Sequence, residues 1–174
     1  MVTLPSNDLK SSISIRHELH PGDVGYITYL HGIIYADEQG WDHTFDAYVA
    51  IPLSEFSKSQ SDRERIWIVE AGGEIVGSAA IVKFSETQAQ LRWLLLDRSI
   101  RGIGLGRQLV DEALKFSLDA GYSYVFLWTV KALSAATNLY ESFGFRKTQE
   151  ETHEIWGGVV TEVRYELKLQ GKTD

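Results

Sequence analysis

The sequence predicts an α/β (α+β) fold, with a mixed β-sheet that is covered by helices on both faces. Short apolar runs typical of strands alternate along the chain with segments whose apolar residues recur at helical spacing. Of the 174 residues, 44% are hydrophobic and 24% are charged, which is ordinary for a globular protein. No internal repeat, low-complexity segment or interdomain linker appears. We therefore expect one domain over residues 12–170, preceded by a disordered or frayed lead-in at residues 1–11.

The first part of the chain predicts a strand followed by two helices. Alternating apolar residues from Ile13 to Leu19 indicate the strand, which Pro21-Gly22 ends. Apolar and aromatic residues then recur at helical spacing from Asp23 to Ile34, and again from Phe45 to Phe56. The connection at residues 35–42 is acidic and aromatic, and we expect it to be a loop too polar for the core.

The middle of the chain predicts three strands. Residues 66–69 and 75–82 are apolar runs that flank Gly72-Gly73, and glycine permits the positive φ of a tight hairpin turn. The run at residues 91–96 is apolar apart from Arg92, which is typical of a central strand covered on both faces.

The last part of the chain predicts two helices and two further strands. After a glycine-rich loop, the apolar residues from Leu105 to Phe116 repeat once per helical turn. Residues 124–128 indicate another central strand, and Ser134 is expected to cap a helix that ends at Gly144. Residues 163–169 alternate between apolar and charged, as in an antiparallel strand with one face in water. Trp156-Gly157-Gly158 is expected to turn the hairpin before it.

Composition excludes several classes of function. The net charge of −7 repels phosphate backbones, so we expect no nucleic-acid partner. This charge would attract a cationic substrate, although it can also serve solubility alone. No apolar stretch approaches the ~20 residues of a membrane span, and no membrane partner is expected. The absence of cysteine excludes disulfides and a cysteine nucleophile and fits a cytoplasmic location. No metal site is expected, because no convincing ligand spacing relates the five histidines, His17, His20, His31, His43 and His153.

The glycine-rich loop carries the strongest functional signal. It follows a predicted buried strand, precedes an amphipathic helix and reads Arg101-Gly102-Ile103-Gly104-Leu105-Gly106-Arg107. Backbone N–H groups and the positive end of the helix dipole converge at such a place, and glycines keep side chains out of the way. Together with Arg98, the flanking arginines reverse the sign of the charge locally. The loop favours a pyrophosphate site, with glycines that merely permit a tight turn as the alternative.

Two other nucleotide motifs do not match this loop. A P-loop ends in Gly-Lys-Ser/Thr, whereas Gly106 is followed by Arg107-Gln108. A dinucleotide fingerprint needs a third small residue, and the candidate positions hold Arg107 or Leu109. Hydride transfer is therefore disfavoured.

Residues 101–106 resemble the Arg/Gln-x-x-Gly-x-Gly/Ala signature of the GNAT superfamily of N-acetyltransferases. The resemblance extends in element order from Ile13 to Leu169, and is closest to the GNAT domains often joined to MarR-type regulators. It implies a mostly antiparallel sheet of about seven strands, with acetyl-coenzyme A (acetyl-CoA) as the cosubstrate. It also implies that the strand before the loop is splayed from its neighbour and pairs through its backbone with the pantetheine arm. The implied coenzyme contacts are Leu94, Leu95, Leu96, Arg101, Gly102, Ile103, Gly104, Leu105, Gly106, Arg107 and Leu133.

Residues 139–145 resemble the second signature of the superfamily, in which a helix carries a tyrosine toward the coenzyme sulfur. Tyr140 is accordingly the expected catalytic residue, because a positioned hydroxyl can protonate the departing thiolate. The alternative is that Tyr140 packs the helix on the sheet, as Leu139 and Phe143 do.

The resemblance places the acceptor near the loop between the first two helices. The candidate walls of its pocket, which could equally be core residues, are Tyr35, Trp41, Arg92, Trp93 and Trp128. Acidic residues beside Trp41 suggest a cationic acceptor, namely Asp37, Glu38 and Asp42. The general base stays open among Glu38, Asp42, His31 and His43.

The resemblance therefore predicts an N-acetyltransferase that moves the acetyl group of acetyl-CoA to a primary amine by direct attack in a ternary complex. The acceptor would be a small molecule or a peptide, and a homodimer is compatible with the sequence. The alternative is a regulatory or sensor module that binds acetyl-CoA without turnover.

Overall fold

The computed structural model describes residues 12–170, so the predicted lead-in at residues 1–11 lies outside the described residues. The described residues form one sheet of seven strands. These are β1 (Ile13–Arg16), β2 (Arg65–Ala71), β3 (Glu74–Lys83), β4 (Gln88–Leu96), β5 (Tyr124–Val130), β6 (Arg146–Ile155) and β7 (Gly158–Lys168). Their spatial order is β1-β2-β3-β4-β5-β7-β6. β4 and β5 pair in parallel, and the other neighbours pair antiparallel. The predicted mixed, mostly antiparallel sheet is confirmed.

Helices cover both faces of this sheet, as predicted. α1 (Asp23–Gln39) and α2 (Thr44–Lys58) lie on one face, and α3 (Leu105–Asp119) and α4 (Ser134–Ser142) lie on the other. The alternation of side chains along β2 divides the core between them. Ile66 and Ile68 pack with α1 and α2, whereas Trp67 and Val69 pack with α3. Within residues 12–170, no helix has the length and apolar character needed to span a membrane.

Two predicted boundaries near the N-terminus are wrong. β1 ends at Arg16 and not near Leu19, because its pairing with β2 ends where Arg16 meets Ile68. The Arg16 guanidinium binds Asp23 at 2.7 Å and Glu70 at 2.8 Å. Residues 35–39, predicted as loop, belong to α1, and Gly40 ends that helix with its N–H bonded to the Ala36 carbonyl. The connection between α1 and α2 is therefore only residues 40–43.

Ser134 does not cap α4. Leu133 occupies the N-cap position, and no side chain accepts a hydrogen bond there. Ser134 is instead the first residue of the helix, and its N–H donates to the Ala132 carbonyl at 3.1 Å. The turn at residues 131–133 is held by the Leu133 N–H, which donates to the Val130 carbonyl at 2.9 Å.

β6 is the strand with the weakest signal in the sequence. Its residues are almost all exposed, so neither an apolar run nor an alternation marks it. Pairing with β7 over nearly its whole length defines it, and the turn at Trp156-Gly157 joins the two strands as predicted.

Candidate active site

β4 and β5 separate in the middle of the sheet. They pair only where residues 88–90 of β4 meet residues 124–126 of β5. Beyond this point β4 continues beside β3 to Leu96, and β5 continues beside β7 to Val130. The β5-facing edge of residues 91–96 therefore has backbone groups without a strand partner, in agreement with the splay that the resemblance implies.

A bulge in β4 lies within this separated stretch. Trp93 has a φ of 50°, unusual for a residue other than glycine, and the register with β3 shifts between Ser78 and Ala80. The Ser78 hydroxyl donates to the Trp93 carbonyl at 2.7 Å, which holds the bulge. Leu91 packs with α3 and α4, whereas Trp93 packs with α1 and α2, so the bulge reverses the alternation of the strand.

The glycine loop opens onto a cavity of about 530 Å³, which we call the loop cavity. Its walls are the end of β4, residues 101–102 and 104–107 of the loop, residues 132–136 with Leu139 and Tyr140, and Tyr35 and Glu38 of α1. Every predicted coenzyme contact lines it except Ile103, whose side chain is exposed outside the cavity. The structure thus brings ten of the eleven predicted contacts together in one place.

Two glycines shape the floor of the loop cavity. Gly102 and Gly104 have φ of 77° and 90°, a backbone that side chains other than glycine rarely tolerate. A Cβ at either position would meet no protein atom within 4 Å. Both residues line the cavity, and Gly104 precedes the N-terminus of α3. An anion can therefore approach bare backbone at the positive end of a helix, which fits the diphosphate of a coenzyme A.

The arginines around the loop differ in their partners. Arg101 donates to the Glu38 carboxylate at 2.7 Å and to the Leu96 carbonyl at 2.8 Å. Arg98 binds Glu38 at 2.8 Å and Asp37 at 2.7 Å, and it does not line the loop cavity. Arg107 donates to the Ser142 hydroxyl at 2.8 Å. Arg101 and Arg107 are therefore the cations that face the cavity.

A second, smaller cavity of about 120 Å³ lies between β4, β5 and helices α1 and α2; we call it the inner cavity. The two cavities share five wall residues, which are Tyr35, Leu94, Leu133, Ala136 and Tyr140. All the predicted acceptor-wall residues line the inner cavity, namely Tyr35, Trp41, Arg92, Trp93 and Trp128. A molecule in the inner cavity would therefore meet a coenzyme in the loop cavity at Tyr140.

Tyr140 is buried, with 6% of its surface exposed, yet its hydroxyl is not packed into hydrocarbon. The oxygen has no hydrogen-bond partner among the described residues. Because no described side chain buries an unpartnered polar atom, the hydroxyl must be open to the cavities. Burial raises the pKa of Tyr140 above its usual value, and the nearby Tyr35 raises it further. The hydroxyl therefore stays protonated at neutral pH and can act as a proton donor.

An aromatic cluster forms part of the wall of the inner cavity and extends behind it. Tyr35 and Trp41 stack with ring centres 4.8 Å apart, and Trp41 lies 4.5 Å from Trp156 in the β6–β7 turn. Phe45 of α2 contacts the same tryptophan at 4.8 Å. The backbone is tied as well, because the Asp42 N–H donates to the Trp156 carbonyl at 3.0 Å. The contribution of Trp156 was not predicted, since the sequence around it indicates only a turn.

The acidic residues of the α1–α2 region do not form an open cationic-acceptor site. Asp37 and Glu38 are paired with arginines, as described above. Asp42 accepts a hydrogen bond from the Thr44 N–H at 2.9 Å and thereby holds the first turn of α2. Asp42 and His43 do not line the inner cavity, and Glu38 lines only the loop cavity. Of the four open candidates for a base, only His31 lines the inner cavity.

The sequence missed Glu162, which also lines the inner cavity. It lies on β7 opposite Val130 of β5, at the end of the stretch that separates from β4. The alternation of apolar and charged residues around Val163 predicts that Glu162 faces solvent. In the structure only 17% of its side chain is exposed. Burial raises the pKa of Glu162 above 4.5, although His153 lowers it. No signal in the sequence distinguishes Glu162 from other charged residues of β7, because the cavity beside it is made by distant elements.

A sequence profile described as the Acetyltransferase (GNAT) family matches residues 20–145. N-acetyltransferase 8B of Homo sapiens is 28% identical over 141 residues, which are 77% of this chain and 62% of that protein. The chain therefore spans about three fifths of the length of this relative.

Solved structures share the fold at low sequence identity. YncA of Salmonella typhimurium, solved with its cofactor acetyl-CoA, has 16% identity and a TM-score of 0.71 over 94% of this chain and 97% of that chain. Spermidine N-acetyltransferase from Vibrio cholerae, in complex with CoA and spermine, has 19% identity and a TM-score of 0.66 over 91% and 96%. These matches confirm the predicted fold class, while the likeness to domains joined to MarR-type regulators stays a prediction. Because the family profile covers most of the chain, this protein belongs to the GNAT acetyltransferase family.

Proposed function

We propose that this protein transfers the acetyl group of acetyl-CoA to a primary amine by direct attack within a ternary complex. The observation that carries the proposal is the position of Tyr140, where the loop cavity and the inner cavity meet. The loop cavity has the glycine floor and the cations that a diphosphate needs. The inner cavity has room for a small acceptor.

The residues of the loop cavity would hold the coenzyme. Backbone N–H groups around Gly102 and Gly104, together with Arg101 and Arg107, would bind the diphosphate. The unpaired edge of β4 at residues 94–96 would hydrogen-bond the amides of the pantetheine arm, as a neighbouring strand does. Leu133 and Leu139 line the same cavity and would pack against the arm.

The transfer requires a proton donor and an unprotonated amine. The lone pair of the amine forms an N–C bond to the thioester carbonyl, and the C–S bond then breaks. Tyr140 donates its hydroxyl proton to the departing sulfur, and the nitrogen releases a proton that restores the tyrosine. Backbone N–H groups on the free edge of β4 would stabilise the negative charge on the carbonyl oxygen.

A thiol-release assay with acetyl-CoA and a panel of amines and peptides tests the proposal. We expect acceptor-dependent release by the wild type. In Tyr140→Phe we expect kcat to fall about 10²- to 10⁴-fold, because the general acid is lost. The dissociation constant for CoA, measured by calorimetry, should change little. Tyr122→Phe is the matched control, because Tyr122 is also buried but lines neither cavity.

Two results would count against the proposed function. Binding of acetyl-CoA without release for any acceptor would favour the sensor module. Equal kcat for wild type and Tyr140→Phe would remove the tyrosine from the mechanism.

The choice of a small amine as acceptor is supported by the fold neighbour from Vibrio cholerae, whose structure contains spermine. A peptide acceptor stays a prediction from the sequence. The homodimer, the cytoplasmic location and the lack of a nucleic-acid partner stay predictions from the sequence.

A further inference from the structure

Arg92 stands apart from the other arginines of the described residues. Four arginines are at least partly buried, and three of them form ion pairs: Arg16 with Asp23, Arg63 with Glu86, and Arg164 with Glu166. Among the described residues, no carboxylate forms an ion pair with Arg92. Its guanidinium lies 5.0 Å from the centre of the Trp93 ring and lines the inner cavity. A partly buried cation without an anion is costly, so a site that keeps one is suited to an anionic ligand.

Glu162 brings the opposite charge to the same cavity. Its carboxylate lines the inner cavity, and it lies 3.7 Å from the His153 imidazole on β6. Both charges act on one group, Tyr48 of α2. Burial raises the pKa of Tyr48, the negative Glu162 raises it further, and the positive Arg92 lowers it. Arg92, Glu162 and Tyr48 therefore line the same cavity, and both charges are close enough to act on the Tyr48 hydroxyl.

We propose that the acceptor is an amino acid or a similar small molecule, with a carboxylate bound by Arg92 and an amine received by Glu162. This inference rests on the proposed function and names the substrate class of the same site. Arg92 suits a carboxylate because its planar guanidinium can donate two parallel hydrogen bonds to it. The stacked Tyr35 and Trp41 bound the space left for the remainder of the acceptor.

Glu162 also removes the proton that blocks the lone pair of the attacking nitrogen. An amine enters as ammonium, and one N–H bond must break before the nitrogen can attack. The proton passes to the Glu162 carboxylate, which then releases it to solvent beside the exposed His153. The nitrogen retains the electron pair of the broken bond and uses it to form the N–C bond.

His31 is the rival proton acceptor in the inner cavity. Its Nδ1 lies 2.8 Å from the Ile27 carbonyl, which can only accept, so Nδ1 carries the proton and Nε2 is free. Burial lowers the pKa of His31 to about 4. His31 is therefore a weak base without a charge, whereas the negative charge of the Glu162 carboxylate also attracts the ammonium.

Matched acceptor sets test the substrate class. Each set contains an amino acid, its amide and its decarboxylated amine, with one to five carbons between the amine and the carboxylate. The thiol-release assay measures kcat/KM for each with wild type, Arg92→Gln and Arg92→Lys. We expect the kcat/KM of the wild type to be about 10- to 100-fold higher for the amino acid of one set than for its amide, because a hydrogen bond to a charged group contributes a factor of this size. Arg92→Gln should remove that ratio, and Arg92→Lys should restore part of it.

Arg164→Gln is the control, because Arg164 is a partly buried arginine of the same sheet that lines neither cavity. It should keep the preference of the wild type. Calorimetry with CoA checks that each variant still folds and binds the coenzyme. Equal turnover of acids and amides, or a preference for spermine, would overturn the inference and leave the proposed function intact. Bound acetyl-CoA with no turnover of any acceptor would overturn both.

Discussion

At the scale of single residues, chemistry in this protein depends on which polar groups the fold leaves without a partner. Tyr140 lies on a short helix of mixed character, and Arg92 lies on an otherwise apolar strand. In the structure, neither side chain forms a hydrogen bond or ion pair with a described residue. Each lines a cavity instead. Such groups are available to a ligand, whereas the paired Glu38 and Asp42 are already engaged.

The pH dependence of turnover should report Glu162. Burial raises the pKa of this carboxyl and Glu151 raises it further, while His153 lowers it; Tyr48 of α2 is the titratable neighbour from the helical layer. Since Glu162 must be unprotonated to accept a proton, kcat/KM should fall as the pH drops through a value above 4.5. Steady-state rates from pH 4 to 9 measure this fall, the acidic limb of the pH profile. The acidic limb should disappear in Glu162→Gln.

His31→Gln is the control for this profile. The pKa of His31 is about 4, so the histidine is neutral over most of the range and its loss should leave the limb in place. A limb that survives in Glu162→Gln and vanishes in His31→Gln would reverse the assignment.

At the scale of elements, the site is made by one strand that leaves its partner. β4 is parallel to β5 for only three residues, and the separation exposes backbone groups between two otherwise continuous halves of the sheet. The bulge at Trp93 then turns the indole toward the inner cavity, while the loop after β4 presents the glycine floor at the N-terminus of α3. The separated edge of β4, the bulge and the glycine loop each lie within about a dozen residues of the next.

Gly104→Ala tests whether the glycines of the loop cavity bind the diphosphate, separately from the effect of backbone strain on stability. Gly104 has a φ of 90° and an open Cβ direction at the start of α3. Gly22 has a φ of 98°, an equally open Cβ direction, and the same position at the start of α1. Alanine should cost both variants a similar ~1–2 kcal/mol of unfolding free energy, because both require a left-handed backbone.

Only Gly104→Ala should also weaken CoA binding, because Gly104 lines the loop cavity and Gly22 does not. Urea unfolding measures the first effect, and calorimetry with CoA measures the second. Unchanged CoA affinity in Gly104→Ala, at the stability of Gly22→Ala, would show that the diphosphate does not rest on this glycine.

At the scale of the whole molecule, ion pairs join the N-terminal strand to the helical layer. The Arg16 guanidinium binds both carboxylate oxygens of Asp23, at 2.7 and 3.0 Å, and also reaches Glu70 on β2. Asp23 is buried, and its carboxylate also accepts from the His20 N–H at 2.6 Å. This cluster fixes the start of α1, and α1 in turn forms one wall of the inner cavity.

The stability of the protein should therefore depend on the ionised Asp23. Burial alone would raise the pKa of this carboxyl, but the hydrogen bonds from Arg16 and His20 outweigh it and lower the pKa. A lowered folded pKa gives stability that is present above about pH 4, the value of an unfolded aspartate, and is lost as the pH falls further. Asp23→Asn should lose about 1–3 kcal/mol of unfolding free energy at pH 7.

Urea unfolding at pH 7 and pH 3 checks this expectation, since the difference between wild type and Asp23→Asn should shrink at the lower pH. Asp111→Asn is the control, because its ion pair with Lys115 is on the surface and should matter little. An equal loss in both variants would show that the Arg16 cluster is not special.

The sequence by itself determined most of the strands and helices of this protein and the glycine-rich loop between β4 and α3. Strands, helices and a glycine loop are local features, because hydrophobic periodicity and the need for positive φ are decided within a few residues. Ten of the eleven residues predicted to contact the coenzyme line the loop cavity, and all the predicted acceptor-wall residues line the inner cavity.

The tertiary structure alone decided which charges are free. Glu162 on β7, Arg92 on β4 and Tyr48 on α2 are far apart in the chain and meet only because β4 parts from β5. The same packing pairs Glu38 with Arg101 and ends β1 at Arg16, where the alternation of the sequence predicted a longer strand. Pairing, burial and access depend on distant partners, so no local pattern could have revealed them.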